Sequence, residues 1–158
     1  SEEIELAVRR TGELGEQCRI AEPKLVPSHA DLHEANILVD ELGSVHLVDW
    51  DLPRMSPREC DLMFFVEQGI FGEIAAEDEA AFFEGYGSVS PDPVLLAYFR
   101  FARVVEDLVA YYDEAKASGE WESATALGAV RGVEALFKPR STFETAMRMY
   151  DSLDPSLR

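Results

Sequence analysis

Between long helix-patterned stretches, this chain carries one short segment that reads as extended, and that segment limits the folds open to it. Ile37-Leu38-Val39 and Val45-His46-Leu47-Val48 are apolar and rich in β-branched residues, and Asp40-Glu41-Leu42-Gly43-Ser44 between them are turn formers. Gly43 is free to take the positive φ that such a turn needs. The pattern predicts a β-hairpin whose second strand runs directly into Asp49-Trp50-Asp51. Elsewhere the period is helical. Residues 2 to 20 carry Ile4, Ala7, Val8, Thr11 and Leu14 near helical spacing, with Glu2 and Glu3 suited to the positive helix start, and Pro23 closes the element. After Pro53 the spacing predicts a helix from Pro57 to Gly69, a second from Glu77 to Tyr86, and a long one from Pro93 to about Ala117, capped by Ser90 and Asp92. Further helices are expected over Glu120 to Phe137 and Ser141 to Ser152. One hairpin set against many helices is a mostly helical α+β fold. No linker or repeat divides residues 1–158, so a single domain is expected.

Composition narrows the classes of partner. The chain has 158 residues, with 14 basic and 31 acidic side chains, a formal charge of −17. Such a field repels nucleic acid and anionic membranes and favours cationic partners or simple solubility. Cys18 and Cys60 are too few and too far apart for a disulfide framework or a zinc cluster, and they read as reduced thiols. No apolar run approaches a membrane span and no signal segment opens the sequence, so a cytoplasmic location is expected.

The polar stretch Ser28-His29-Ala30-Asp31-Leu32-His33-Glu34-Ala35-Asn36 has no clear period and immediately precedes the hairpin. Phosphoryl transfer from ATP asks a protein for a carboxylate beside the attacking hydroxyl, magnesium ligands, and placement. An Asp and an Asn five positions on, followed by a strand that ends in a further Asp, supply these. Asp31, Asn36 and Asp49 stand in that order. The offset alone is common by chance; the offset with its hairpin and strand-end acid is specific.

Three segments carry a resemblance. They are His29-Ala30-Asp31-Leu32-His33-Glu34-Ala35-Asn36, then Val48-Asp49-Trp50-Asp51, then Pro57-Arg58-Glu59-Cys60-Asp61-Leu62-Met63-Phe64. Together they resemble the aminoglycoside phosphotransferase and choline kinase family, relatives of the protein kinases. The third segment, with Phe83-Glu84-Gly85-Tyr86-Gly87 and Arg103-Val104-Val105-Glu106-Asp107, looks like the branch that includes spectinomycin phosphotransferases. The resemblance implies the C-terminal catalytic lobe of a kinase-like phosphotransferase. Its donor would be ATP or GTP with Mg2+, and its acceptor a small, cationic hydroxyl compound such as an aminoglycoside or aminocyclitol, which is an antibiotic-resistance activity. It implies Asp31 as catalytic base and Asn36 and Asp49 as magnesium ligands. His29 would prop the loop at the nucleotide site, and Asp61 would brace it from a helix. Where many relatives place Pro-Gly, this chain has Glu34-Ala35.

The family's N-terminal ATP-binding lobe needs more than the thirty residues before Asp31, and Thr11-Gly12-Glu13-Leu14-Gly15 is not a nucleotide loop. The expectation is therefore a lobe without its partner lobe, weakly active alone, with bare apolar surface and a tendency to self-associate. Asp51 divides evenly between support of the metal site and a turn role. Two rival readings remain at this point. One is a non-catalytic kinase-lobe scaffold or interaction domain. The other is a divalent-metal hydrolase using His29, Asp31 and His33, which alternate and would share one face of a strand. The acids Glu106, Asp107, Asp113 and Glu114 read chiefly as a solvated helix face and secondly as the lining of a site for a cationic substrate, and Trp121 reads as packing.

Overall fold

The computed structural model describes residues 1–66, 69 and 74–158. Its central element is α4 (Pro93–Ala117), a 25-residue helix against which α1 (Glu2–Ala21), α2 (Glu59–Leu62), α5 (Ala124–Ala135) and α6 (Thr142–Ser152) all pack. The start of α4 is dictated locally. Asp92 Oδ1 accepts from Val94 N at 2.8 Å and Leu95 N at 3.3 Å, and Pro93 at the first position gives up no needed N–H. Leu96, Phe99 and Val104 are buried, together with Phe101 and Arg100, while Leu108 at helical spacing from Val104 is half-buried. Full burial of a side chain the size of Phe101 stabilises the fold by roughly 2–3 kcal/mol. Arg100 is tolerated in the core because its Nη2 donates to Val66 O at 2.6 Å.

Helix α1 buries Ala7, Leu14 and Cys18 along one face and carries Glu2, Glu3 and Glu5 in its first turn. It ends at Ala21 because Glu22 turns left-handed (φ 47°) ahead of Pro23. Leu14 joins Met63, Phe64, Val66, Leu96, Phe101, Met149 and Tyr150 in the main core, and a smaller cluster of Ala115, Ala126 and Ala129 beneath Tyr111 seats α5. Two short helices flank this bundle: α3 (Ala76–Tyr86), and a 3-10 turn at Pro155–Leu157.

The expected hairpin forms from β2 (Ile37–Val39) and β3 (Val45–Leu47), antiparallel, with Ile37 opposite Leu47 and Val39 opposite Val45. Asp40 ties the turn by accepting from Leu42 N and Ser44 N, at 2.9 and 2.8 Å. Gly43 has φ 81°, as required. The expectation of a single hairpin is corrected by a second two-stranded sheet, in which β1 (Val26–Ser28) pairs antiparallel with β4 (Arg54–Ser56). Each of these strands has only three residues, and the pair encloses the polar loop and the hairpin between its ends. The helix expected from Pro57 to Gly69 is regular only over Glu59–Leu62, and residues 67 and 68 of that range lie outside the described residues. Helix α5 begins at Ala124, not Glu120, because Ser123 Oγ caps it through Ala126 N at 3.1 Å. Trp121, expected to pack, is exposed. Leu38, Val39, Leu42, Val45 and Leu47 of the hairpin are also exposed, an apolar surface on the hairpin. Among the described residues no helix is long and apolar enough to cross a membrane.

Candidate active site

The loop before β2 is held at both ends of its first turn. Ala30 adopts a left-handed backbone (φ 69°), a conformation that costs an L-residue about 1–2 kcal/mol unless its surroundings fix it. Asp61 of α2 supplies that fixation. Its Oδ2 accepts from His29 N at 2.9 Å and its Oδ1 from Ala30 N at 2.8 Å. His29, fully buried, links the loop to the hairpin: Nε2 lies 2.8 Å from Val48 O, and Nδ1 lies 3.3 Å from Asp31 N. Both contacts are satisfied together by the tautomer protonated at Nε2, which donates to the carbonyl and accepts from the amide. Trp50 covers the imidazole with ring centroids 4.5 Å apart.

Asn36 closes a short 3-10 turn (Glu34–Asn36) that occupies the Glu34-Ala35 position. It is buried, and its Nδ2 donates to Asp31 O at 2.9 Å and sits 3.3 Å from His33 Nε2. That leaves Oδ1 as the Asn36 atom open to a cation. Its main-chain oxygen accepts from Val48 N at 3.0 Å, so Asn36 lies across the ladder from the residue that precedes Asp49. Asp49 itself turns left-handed (φ 64°) and is exposed, as is Asp51; neither carboxylate makes a hydrogen bond among the described residues.

Asp31 is one-quarter exposed and engaged on one oxygen. Arg103 Nη1 donates to its Oδ1 at 2.5 Å, while Oδ2 stands 3.6 Å from His33 Nε2. Arg103 comes from α4, with its Nε 2.9 Å from Asp107 Oδ1 one helical turn on. Burial works against the Arg103 charge, but Asp107 and Asp31 outweigh it and hold the guanidinium above its ordinary range. Burial likewise raises the Asp107 carboxyl, with Arg103 opposing. Asp31, Asp51, Glu106 and Asp107 line a cleft of about 590 Å3 with Arg54 and Arg103. Arg54 pairs with Glu106 at 3.0 Å on the cleft wall.

The structure thus brings His29, Asp31, Asn36 and Asp61 into one hydrogen-bonded unit and sets Asp49 beside it through Val48. It does not form the metal trio of His29, Asp31 and His33: the three lie on a loop, not a strand, and both His29 nitrogens are spent on the main chain. No group of three or more His, Cys, Asp or Glu able to hold a metal occurs among the described residues. In donor chemistry Asn36 and Asp49 offer one amide oxygen and one carboxylate, groups that magnesium accepts while keeping waters and phosphate oxygens as its other ligands. One feature escaped the sequence reading: Arg103 had no assigned role. Asp107, read chiefly as a solvated face and secondly as lining for a cationic substrate, lies in the cleft wall. The local signal was the Arg103–Asp107 spacing of four on a helix; the partner that matters, Asp31, is 72 residues away.

Residues 5–103 match the model of the phosphotransferase enzyme family. The chain belongs to that family. Among solved structures, this phosphotransferase chain is similar to a spectinomycin phosphotransferase, APH(9)-Ia, in complex with ADP and spectinomycin. The two are 30% identical with a TM-score of 0.78, over 95% of this chain and 45% of that one. An AMP-bound complex of the same spectinomycin phosphotransferase matches at 29% identity and a TM-score of 0.75, over 93% of this chain and 45% of the other. The phosphotransferase chain therefore spans less than half the length of these relatives. No curated protein sequence matches it.

Proposed function

We propose that this chain is the catalytic lobe of an ATP-dependent small-molecule O-phosphotransferase and that its acceptor is a cationic hydroxyl compound of the aminocyclitol class, spectinomycin being the sharpest candidate. The observation that carries the reading is the double tie of the loop: Asp61 to His29 N and Ala30 N on one side, and His29 to Val48 O on the other. It ties the loop bearing Asp31 and Asn36 to Val48, the residue before Asp49, which supports the placement that phosphoryl transfer requires. Asp31 Oδ2 receives the proton of the acceptor hydroxyl as that oxygen attacks the γ-phosphorus. Asn36 Oδ1 and Asp49 would hold magnesium, which neutralises the phosphate oxygens. Asp51, Glu106 and Asp107 give the cleft an acidic wall suited to an ammonium-bearing acceptor. Asp51 supports that wall, and Asp61 acts through the loop.

Because the solved relatives are more than twice as long, the remaining part of such an enzyme would supply the rest of the nucleotide site. The exposed apolar tip of the hairpin is a surface for it or for a second copy of the chain. The isolated chain then binds nucleotide weakly and turns over little. Thermal unfolding with and without MgADP tests the metal assignment: the chain gains stability only with magnesium present, and Asp49→Ala abolishes the gain. An equal response in wild type and Asp49→Ala removes Asp49 from the site. Robust ATP-dependent phosphorylation of spectinomycin by the isolated chain refutes the claim of incompleteness.

A further inference from the structure

Asp31 has a main chain fixed from three sides and a side chain hydrogen-bonded at Oδ1, while Oδ2 faces His33 Nε2 at 3.6 Å. Its N–H points to His29 Nδ1 and its carbonyl accepts from Asn36 and from His33 N, but its carboxylate has a single hydrogen bond among the described residues, from Arg103. At 2.5 Å that contact lies at the short end for a charge-assisted bond. Both side chains are largely removed from water, 16% exposed for Arg103 and 23% for Asp31, so the pairing is less screened than a surface ion pair. Arg103 in turn is confined. Asp107 Oδ1 lies 2.9 Å from its Nε, and the Phe64 ring lies under its guanidinium at 5.9 Å. Phe64 and Val104, the residue after Arg103, are both core residues, so this cation is seated by the bundle and not by the loop it contacts.

We infer that Arg103 is a positioning residue for phosphoryl transfer: by holding Oδ1 of Asp31 it fixes which oxygen, Oδ2, is presented to the acceptor hydroxyl. The inference rests on the phosphotransferase reading of this site. In the step it serves, the acceptor O–H bond breaks with its proton going to Asp31 Oδ2. The acceptor oxygen bonds to the γ-phosphorus, and the bond from that phosphorus to the bridging oxygen breaks, releasing ADP. A carboxylate free to rotate would present its oxygens in many poses. A misplacement of about 1 Å at the reacting atoms can lower the rate about 10²-fold. Asp107 completes the device by balancing Arg103, so that a guanidinium beside the base does not repel a cationic acceptor.

The test has two arms. In the first, Arg103→Met, Asp31→Asn and the double variant are unfolded thermally. If Arg103 anchors Asp31, each single change lowers Tm by about 3–6 °C and the double variant loses clearly less than the sum; additive losses overturn the anchoring. In the second arm the variants are assayed for phosphorylation of spectinomycin in the full-length protein. Arg103→Ala lowers kcat about 10²-fold with KM for the acceptor changed less than about threefold, and added guanidinium ion restores about tenfold of it, as it does not for Asp31→Asn. Unchanged kcat, or a loss confined to KM, overturns the positioning role. Should Arg103→Ala fail to fold, Arg103→Lys keeps the charge but not the planar fork, and the same split of kcat from KM decides. Absence of transfer by the wild type would sink the phosphotransferase reading, and with it the positioning role, while the first arm still decides whether Arg103 anchors Asp31.

Discussion

Replacing Asp61 with alanine removes both acceptors that hold the turn before Asp31. The two N–H···O contacts, at 2.9 and 2.8 Å, reach a carboxylate in a partly buried site. Hydrogen bonds to a charged group contribute about 1.5–3 kcal/mol each. Because the two share one carboxylate, and because release lets Ala30 leave its left-handed backbone and recover about 1 kcal/mol, the net loss should be about 2–3 kcal/mol. For a chain of this size that is a fall in Tm of about 4–12 °C. The assay is thermal unfolding followed by circular dichroism, paired with amide hydrogen exchange. The His29 and Ala30 amides should exchange at least about tenfold faster in Asp61→Ala, while amides of α4 change only as far as global stability does. Asp61→Asn is nearly as harmful, since an amide keeps one acceptor and turns an N–H donor toward the other. A Tm unchanged within 2 °C, with His29 and Ala30 still protected, would refute the bracing argument, because no other described group accepts from those two N–H groups.

Three further outcomes follow from local geometry. Glu22 caps α1 in a left-handed backbone on an exposed position, so Glu22→Gly should raise stability by up to about 1 kcal/mol, read as a higher midpoint in urea. A Cβ added at Gly132 falls well inside contact distance of the Tyr111 ring; Gly132→Ala should lower the same midpoint by about 1–3 kcal/mol despite its better helix propensity. Burial foremost, then the charge of Asp92, pushes the Cys18 thiol up to about 11 from 9.0. Its folded pKa exceeds its unfolded one, so its contribution is intact below pH 9 and is lost as pH rises toward 11. Wild type should therefore lose more stability across that window than Cys18→Ala does, and at pH 8 its thiols should react with a disulfide reagent only as fast as the protein opens.

What could be read in advance was whatever the chain specifies within a few residues. The hairpin was legible because Gly43 and Asp40 fix its turn, and α4 because Asp92-Pro93 opens it and its stripe never breaks. The β1–β4 sheet was not legible: three residues with Pro27 at the centre carry no alternating pattern, and Val26 meets Ser56 only because the intervening loop and hairpin return the chain to that place. The loop chemistry was readable as a spacing, Asp31 to Asn36 to Asp49. The helix that completes it was legible only in part: Asp107 could be read as a possible site acid, but Arg103 looks like any cation on a helix surface until Asp31 is brought to it.

That distribution has a mechanical consequence. The loop carrying Asp31 reaches the core only through Ala30 and Leu32, on either side of the candidate base. Its position is further imposed by Asp61 on α2 and by Arg103 on α4, two helices in contact whose Cys60, Leu62, Leu96 and Phe99 are buried in the same core. The placement of the candidate base is thus set by helix packing at the level of the core, where a displacement large enough to move Arg103 would first have to open close-packed side chains. Thr142, Thr145 and Met149 are buried on α6, which packs on α4, so substitutions there that shift α4 should reach Asp31 through Arg103. Substitutions in the exposed hairpin turn, at Glu41 or Leu42, should not, because the tie from His29 to Val48 lies at the opposite end of the strands.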